Sequence, residues 1–233
     1  NKGQLGQFKK ILQDGKRFGV KITYVEQSSP KGLPDAFILG EQFIGKDKVA
    51  LILGDNFFYG QSLTKKLKDC IKLNSGCKIL LHPVSKPELY GVANINRRKK
   101  IVSIKEKPKK TNSNLAITGL YFFDNKVINY SKSLKPSKRN ELEMVDLLNN
   151  YKRNNKLKAE FLGRGGAWLD TGSINDFYNT SAFVSALENR QGFKIACLEE
   201  IAFKSKWINK RDIKEAISFY GNCIYSNYLK KII

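Results

Sequence analysis

Val49-Ala50-Leu51-Ile52-Leu53-Gly54-Asp55-Asn56-Phe57-Phe58-Tyr59-Gly60 joins an unbroken apolar run to a glycine, a carboxylate and an amide. An apolar run of this length, cut off by glycine, predicts a short strand buried on both faces, as in α/β proteins. Ligands of open α/β sheets bind outside the carboxyl ends of the strands, so Asp55 is expected at the lip of a crevice on a rigid support. A strand ending in Gly-Asp is equally an ordinary turn, and the stretch alone leaves both readings open.

Upstream, alternation over residues 21–25 predicts a strand, followed by a polar loop to Pro34 and a helix from Asp35 with Ala36, Phe37, Leu39 and Phe43 on its apolar side. Strand, loop, helix, strand implies a parallel βαβ unit. An amphipathic helix over residues 4–12 precedes it. Downstream, the pattern predicts a helix over 63–73, a buried strand over 77–84, a hairpin of 92–95 with 101–104, and a strand over 115–123. Thr118-Gly119 sits inside that last strand, where a glycine suggests close approach by a ligand or a neighbouring backbone. A helix over 142–151 and a strand over 157–162 lead to the glycine-rich stretch 163–172, a second candidate site loop. A helix over 173–188 should bury Ile174, Phe177, Phe183, Val184 and Leu187, and a further helix is expected over 211–219. The fold class that follows is α/β, with a mixed, mainly parallel central sheet, helices on both faces and a helical C-terminal region. Residues 1–190 are expected to form the α/β domain, with 191–233 packed on it.

The composition narrows the function. Of 233 residues, 41% are hydrophobic and 27% charged, as in a soluble globular protein. The net charge of +21 comes mostly from scattered lysines. With no block of five like charges, no zinc-finger spacing and no aromatic-basic motif, nucleic-acid binding is not the first reading. The positive field suits phosphorylated anions instead. Cys70, Cys77, Cys197 and Cys223 are far apart, and His82 is the lone histidine, so free thiols in a reducing cytoplasm are expected rather than a structural zinc. No apolar run is long enough for a membrane span, and no signal peptide opens the chain.

Asp55 and Asp170, the Glu106-Lys107 pair, Arg139 and glycines 32, 54, 91, 119 and 172 fall in the loops between these elements. Magnesium takes a few carboxylates and leaves its other positions to phosphate and water. Phosphoryl transfer needs cations and backbone amides to spread charge. The set therefore suits a phosphorylated sugar and a magnesium-bound nucleotide.

The segments Gln27-Ser28-Ser29-Pro30-Lys31-Gly32-Leu33, Leu53-Gly54-Asp55-Asn56-Phe57-Phe58-Tyr59-Gly60, Tyr90-Gly91-Val92, Glu106-Lys107-Pro108, Thr118-Gly119-Leu120-Tyr121, Arg139-Asn140-Glu141-Leu142-Glu143 and Ala167-Trp168-Leu169-Asp170-Thr171-Gly172 resemble the glucose-1-phosphate thymidylyltransferases, a family of sugar nucleotidyltransferases. They occur in the family's order and span essentially the whole chain. The resemblance implies a Rossmann-like nucleotidyltransferase fold and Mg2+-dependent, in-line condensation of dTTP with glucose 1-phosphate to dTDP-glucose and pyrophosphate, for deoxysugar synthesis of the dTDP-rhamnose type. Carried over by position, Asp55 and Asp170 would hold the metal, with Lys107 beside them in the catalytic set. Gln27 and Gly32 would meet the thymine, Lys107 and Arg139 the sugar phosphate, and Asn56, Tyr90, Gly91, Glu106, Thr118 and Glu141 the hexose or its neighbours, with Trp168 as a wall. The resemblance also implies a cytoplasmic homotetramer with a regulatory nucleotide site and no nucleic-acid or membrane partner.

The chain departs from the family at its start. Family members open with a strand and a loop of the form G-G-x-G-T-R-L-x-P that wraps the triphosphate, and no such loop occurs here. The expectation is a domain lacking its first part, an open sheet edge, and weak transfer by this chain alone. A uridylyl- or cytidylyltransferase and a non-catalytic nucleotide-sugar binder remain open alternatives.

Overall fold

The computed structural model describes residues 3–233. In chain order the elements are α1 (Leu5–Leu12), α2 (Asp35–Leu39), α3 (Glu41–Ile44), β1 (Val49–Ile52), β2 (Asn56–Gly60), α4 (Leu63–Ile71), β3 (Cys77–Pro83), β4 (Gly91–Ile95), β5 (Ile101–Glu106), β6 (Leu115–Phe123), α5 (Val127–Lys132), α6 (Met144–Arg153), β7 (Leu157–Phe161), β8 (Gly166–Asp170), α7 (Ile174–Gln191), α8 (Leu198–Lys204), α9 (Lys210–Tyr220) and α10 (Ile224–Lys231). They form two compact units, residues 29–177 and the described residues up to 28 together with 178–233. The boundary expected at 190 falls inside the latter unit.

The 29–177 unit is built on a six-stranded mixed sheet of order β5-β4-β6-β3-β7, with β1 on β6. Nearly every residue of β6 is buried, and the two-residue period of a strand explains how. Ile117, Tyr121 and Phe123 face a cluster that includes Phe37 of α2, Val127 of α5 and Leu147 and Tyr151 of α6. Leu120 and Phe122 face the opposite way, against Cys70 and Leu67 of α4. Helices therefore cover both faces, as expected of the α/β class. Direct pairing is less parallel than expected: β6 runs antiparallel to β1, β3 and β4, and among the described residues only β3 and β7 pair in parallel.

Three expectations from periodicity need correction. Residues 21–25 form no strand: the Ile22 N–H bonds to the Asp14 carbonyl at 2.9 Å, and alternation without a ladder partner does not make a strand. The run at 49–53 is not buried on both faces. Val49 and Leu51 pack on the core while Ala50 and Ile52 are exposed, because successive side chains of a strand point to opposite faces and the core cluster packs on the Val49–Leu51 face. In α7, Ile174 and Phe177 are exposed while Phe183, Val184 and Leu187 are half-buried. At about 100° per residue, Ile174 points roughly 180° away from Phe183, so one stripe cannot hold both.

Asp124, buried after β6, shows how this unit closes. It accepts the Gly76 N–H at 2.6 Å, the Lys126 N–H at 3.2 Å and the Tyr151 hydroxyl at 2.8 Å. One carboxylate thus joins the start of β3, the end of β6 and α6. Tyr151→Phe removes a buried hydrogen bond to a charged group, and denaturant titration is expected to show a loss of about 1–2 kcal/mol with an unchanged m-value.

The other unit packs α8, α9 and α10 around Cys197, Ala202, Ile213, Ala216 and Leu229. Asn209 and Asp212 cap α9 reciprocally. Glu199 is fully buried, and its charge is met by the hydroxyls of Tyr220 at 2.8 Å and Tyr225 at 2.5 Å. The Arg17 guanidinium lies 3.8 Å away, stacked over Phe219. All four cysteines are free thiols. Among the described residues no helix is long and apolar enough to cross a membrane.

Candidate active site

The stretch after Leu53 and the glycine-rich stretch before Thr171, both expected to be loops, are the strands of an antiparallel ribbon, β2 with β8. Its register sets Asn56 opposite Asp170 and Phe58 opposite Trp168. Asp55 is thereby brought beside the end of β8, where Thr171 donates its N–H and its hydroxyl to the Asp55 carbonyl at 2.7 and 2.8 Å. Asp55 Oδ1 accepts from Asn56 Nδ2 at 2.7 Å, and Asp170 Oδ1 accepts the Gly172 N–H at 2.9 Å. A Cβ at Gly172 would stand 3.1 Å from Asp170 Oδ1 and 3.9 Å from Asp55 Oδ2, so both carboxylates face one small volume. Among the described residues no group of three or more histidine, cysteine or carboxylate side chains could form an all-protein metal cage. Two carboxylates on an open cleft fit a magnesium ion completed by phosphate and water.

The cleft has a volume of about 250 Å³ and lies wholly within the 29–177 unit. The same cleft is lined by Tyr90 and Gly91 at the start of β4 and by Glu106 and Lys107 at the end of β5. A continuing strand would send residues 106 and 107 to opposite faces. Instead Lys107 takes φ +38° and donates its N–H to the Tyr90 carbonyl at 3.0 Å, and both residues line the cleft. A non-glycine residue held at positive φ is strained, and such strain gathers at functional sites. Gly91 pairs with Glu106, and a Cβ there would come within 3.2 Å of Glu106 Oε2. Burial pushes the Glu106 carboxyl up, and the adjacent Lys107 charge offsets this only in part.

Arg139 and Glu141 reach the cleft from the loop before α6. The guanidinium of Arg139 donates to Glu143 through Nε at 3.3 Å and through Nη2 at 3.0 and 2.9 Å. Glu143 also accepts from the Ser137 hydroxyl at 2.6 Å. Burial raises the Glu143 carboxyl, but these hydrogen bonds and the Arg139 charge outweigh it and hold the group below the usual carboxylate range. The pairing with Glu143 pushes the Arg139 guanidinium above its usual range. Glu143 was not singled out from sequence as a cleft residue, although its four-residue spacing from Arg139 was a usable signal. The apolar lining residues Ile117 and Tyr121 were missed too, and they follow from the alternation around Gly119.

Gly32, Asn56 and Trp168 line the cleft, whereas Thr118 and Gln27 do not. Thr118 is fully buried and donates to the Leu80 carbonyl at 3.1 Å, because Ile117 and Gly119 take the cleft face of β6. Gln27 belongs to the other unit. At Gly119 the close protein neighbour is the Asn56 side chain, 2.6 Å from where a Cβ would stand. Trp168 is almost wholly buried, packed edge-on to Tyr90 with ring centroids 5.1 Å apart.

Residues 1–186 match the nucleotidyl transferase family. The chain is 44% identical over 226 residues to the glucose-1-phosphate thymidylyltransferase of Neisseria meningitidis, covering 97% of this chain and 78% of that one. The enzyme of the same name from Mycobacterium tuberculosis is 39% identical over the same shares. Among solved structures, a Bacillus anthracis protein provisionally assigned as a glucose-1-phosphate thymidylyltransferase, in complex with sucrose, superposes with a TM-score of 0.72 and 38% identity, over 78% of this chain and 73% of that one. A UDP-glucose pyrophosphorylase complexed with UDP-glucose gives a TM-score of 0.62 and 26% identity, over 70% and 66%.

Proposed function

Because the chain belongs to the nucleotidyl transferase family and groups there with glucose-1-phosphate thymidylyltransferases, we propose that it condenses dTTP with glucose 1-phosphate to dTDP-glucose and pyrophosphate. The observation that carries this reading is the pair of carboxylates joined by the β2–β8 register, in one cleft with Lys107 and Arg139. A phosphate oxygen of the sugar phosphate attacks the α-phosphorus in line, a P–O bond forms, and the bond to the bridging oxygen breaks as pyrophosphate leaves with its electron pair. Lys107 and Arg139 balance the charge of the sugar phosphate, which requires Arg139 to share its guanidinium between Glu143 and the incoming phosphate. Glu106 accepts hydrogen bonds from hexose hydroxyls beside the bare backbone of Gly91, with Glu141 close by, and Trp168 and Tyr90 offer apolar surface to the C–H face. Gly32, which lines the cleft, is assigned to the thymine. Asp55 and Asp170 would hold magnesium, which supplies charge neutralisation on the phosphate oxygens.

The transfer chemistry is assigned to residues 1–190, close to the end of the family match at 186, with 191–233 as an accessory helical region. A cytoplasmic homotetramer feeding deoxysugar synthesis completes the reading, and the four free thiols favour a reducing compartment. The likeness to a UDP-glucose pyrophosphorylase keeps uridylyl transfer as the second reading.

The test uses the full-length protein from the gene that carries this sequence, supplied with glucose 1-phosphate, Mg2+ and each of dTTP, UTP, CTP, ATP and GTP. Pyrophosphate release should be fastest with dTTP, exceed UTP by about tenfold in kcat/KM, and stop on chelation. Equal or faster turnover of UTP selects the second reading, and no sugar-phosphate-dependent release with any nucleotide overturns both.

A further inference from the structure

Ser137 lies in the loop before α6 and does not line the cleft, yet each of its polar groups is engaged within that loop. Its N–H donates to the Glu141 carbonyl at 2.8 Å, and its carbonyl accepts the Asn140 N–H at 2.9 Å, closing a turn with Ser137 at its neck. The hydroxyl works in two directions. It donates to Glu143 Oε1 at 2.6 Å and accepts the Arg139 N–H at 3.2 Å. Glu143 Oε1 is also the oxygen that accepts Arg139 Nε at 3.3 Å and Nη2 at 3.0 Å. The contacts form a closed circuit: Ser137 hydroxyl, Glu143 carboxylate, Arg139 guanidinium, Arg139 backbone, and back to the hydroxyl.

An exposed arginine–glutamate pair four residues apart is ordinarily loose, since holding two long side chains in one geometry costs rotamer entropy and water screens the charges. The Arg139 side chain is 60% exposed, so the ion pair alone would not fix it. Glu141 stands 3.8 Å from Nη2, too far for a hydrogen bond. We propose that Ser137 is a positioning residue for the sugar phosphate: its hydroxyl ties Glu143 to the Arg139 backbone and so sets the guanidinium in place before the phosphate arrives. Only the rate assays below rest on the nucleotidyl transfer proposed above. A guanidinium placed beforehand meets the phosphate without first having to be ordered. The non-reacting oxygens of the sugar phosphate keep their charge through the transfer, so Arg139 holds ground state and transition state alike. The contribution of Ser137 therefore belongs in KM for the sugar phosphate and not in kcat.

The test compares Ser137→Ala with Ser137→Thr, which keeps the hydroxyl, in the full-length protein labelled with 15N-arginine. The Nε–Hε resonance of Arg139 is assigned by its loss in Arg139→Lys. Without substrate, Ser137→Ala should move this resonance to the position of freely exposed arginines, and Ser137→Thr should leave it near its wild-type place. With dTTP and Mg2+, Ser137→Ala should raise KM for glucose 1-phosphate by on the order of tenfold with kcat within roughly threefold, and Ser137→Thr should restore KM to within about twofold. In a Glu143→Ala background, Ser137→Ala should add less than about threefold, because the circuit it completes is already open. An Arg139 resonance unmoved by Ser137→Ala overturns the proposal whatever the rates. So do additive losses with Glu143→Ala, or a fall in kcat with KM unchanged. If the wild-type protein releases no pyrophosphate with any nucleotide, the functional reading fails separately, and the Arg139 resonance still decides whether the hydroxyl holds the guanidinium.

Discussion

Replacing Asp55 or Asp170 by Asn should lower metal-dependent turnover by on the order of a thousandfold while leaving the fold intact. The substitution keeps size and shape and removes one negative charge. In Asp170→Asn the amide oxygen can still accept the Gly172 N–H, and in Asp55→Asn the amide oxygen can still accept from Asn56, so the local hydrogen bonds survive. The ribbon itself is held by backbone pairing from Asn56↔Asp170 to Gly60↔Gly166, which neither change touches. What is lost is half of the charge that two carboxylates present to one cation, and an amide oxygen is a much weaker ligand for a hard dication. Since both carboxylates face one volume, relieving their repulsion should leave the melting temperature unchanged or slightly higher. The measurement is pyrophosphate release against Mg2+ concentration in the full-length protein, beside thermal melts. Chelation of the wild type should fall to the same floor as the variants, and the variants should no longer respond to chelation. Wild-type rates in either variant would remove the carboxylate pair from the mechanism.

That pair also marks how far the sequence could be read. The apolar runs at 77–83 and 115–123 and the hairpin of β4 with β5 were legible, because burial on both faces and a basic turn leave local signatures. Asp55 and Asp170 were legible as family motifs. The ribbon that joins them was not, since glycine, aspartate and tryptophan within a few residues read as a loop, and strand pairing between residues 56 and 170 is non-local. Residues 21–25 err the opposite way: their alternation was sufficient locally, yet no neighbouring strand takes up their hydrogen-bonding groups. The side-chain assignments divide for the same reason. Thr118 and Gly119 were singled out as a unit, but a strand turns successive residues to opposite faces, so one packs under the Leu80 carbonyl and the other receives Asn56. Glu143 carried no role of its own in the Arg139-Asn140-Glu141-Leu142-Glu143 segment, and only the folded loop shows its carboxylate turned back to Arg139.

The largest effect on stability is expected at Gly32, where alanine should cost about 2–4 kcal/mol. Gly32 has φ +90°, and a Cβ built on it would stand 2.1 Å from the Leu142 carbonyl oxygen, 2.8 Å from its nitrogen and 2.9 Å from its carbonyl carbon. These are backbone atoms and cannot rotate aside as a side chain could. The neighbouring Leu142 N–H is bonded to the Lys31 carbonyl at 2.8 Å, so separating the two loops to make room also breaks this link. Positive φ contributes roughly 1 kcal/mol, and the lost hydrogen bond and disturbed packing supply the remainder. The loop that must move carries Arg139, Glu141 and Glu143, so the damage should reach the cleft. At temperatures where the variant is folded, KM for the sugar phosphate should rise more than kcat falls, because Arg139 is displaced while Asp55 and Asp170, on the separate ribbon, are not. Gly165→Ala is the matched control: nothing lies within 4 Å of its added Cβ and its φ is not positive, so its midpoint should stay within about 0.5 kcal/mol of wild type. Denaturant midpoints for the two variants separate the cause. If Gly32→Ala is as stable as Gly165→Ala, the contact with Leu142 does not hold the two loops together, because restriction of the unfolded chain favours both alanine variants alike.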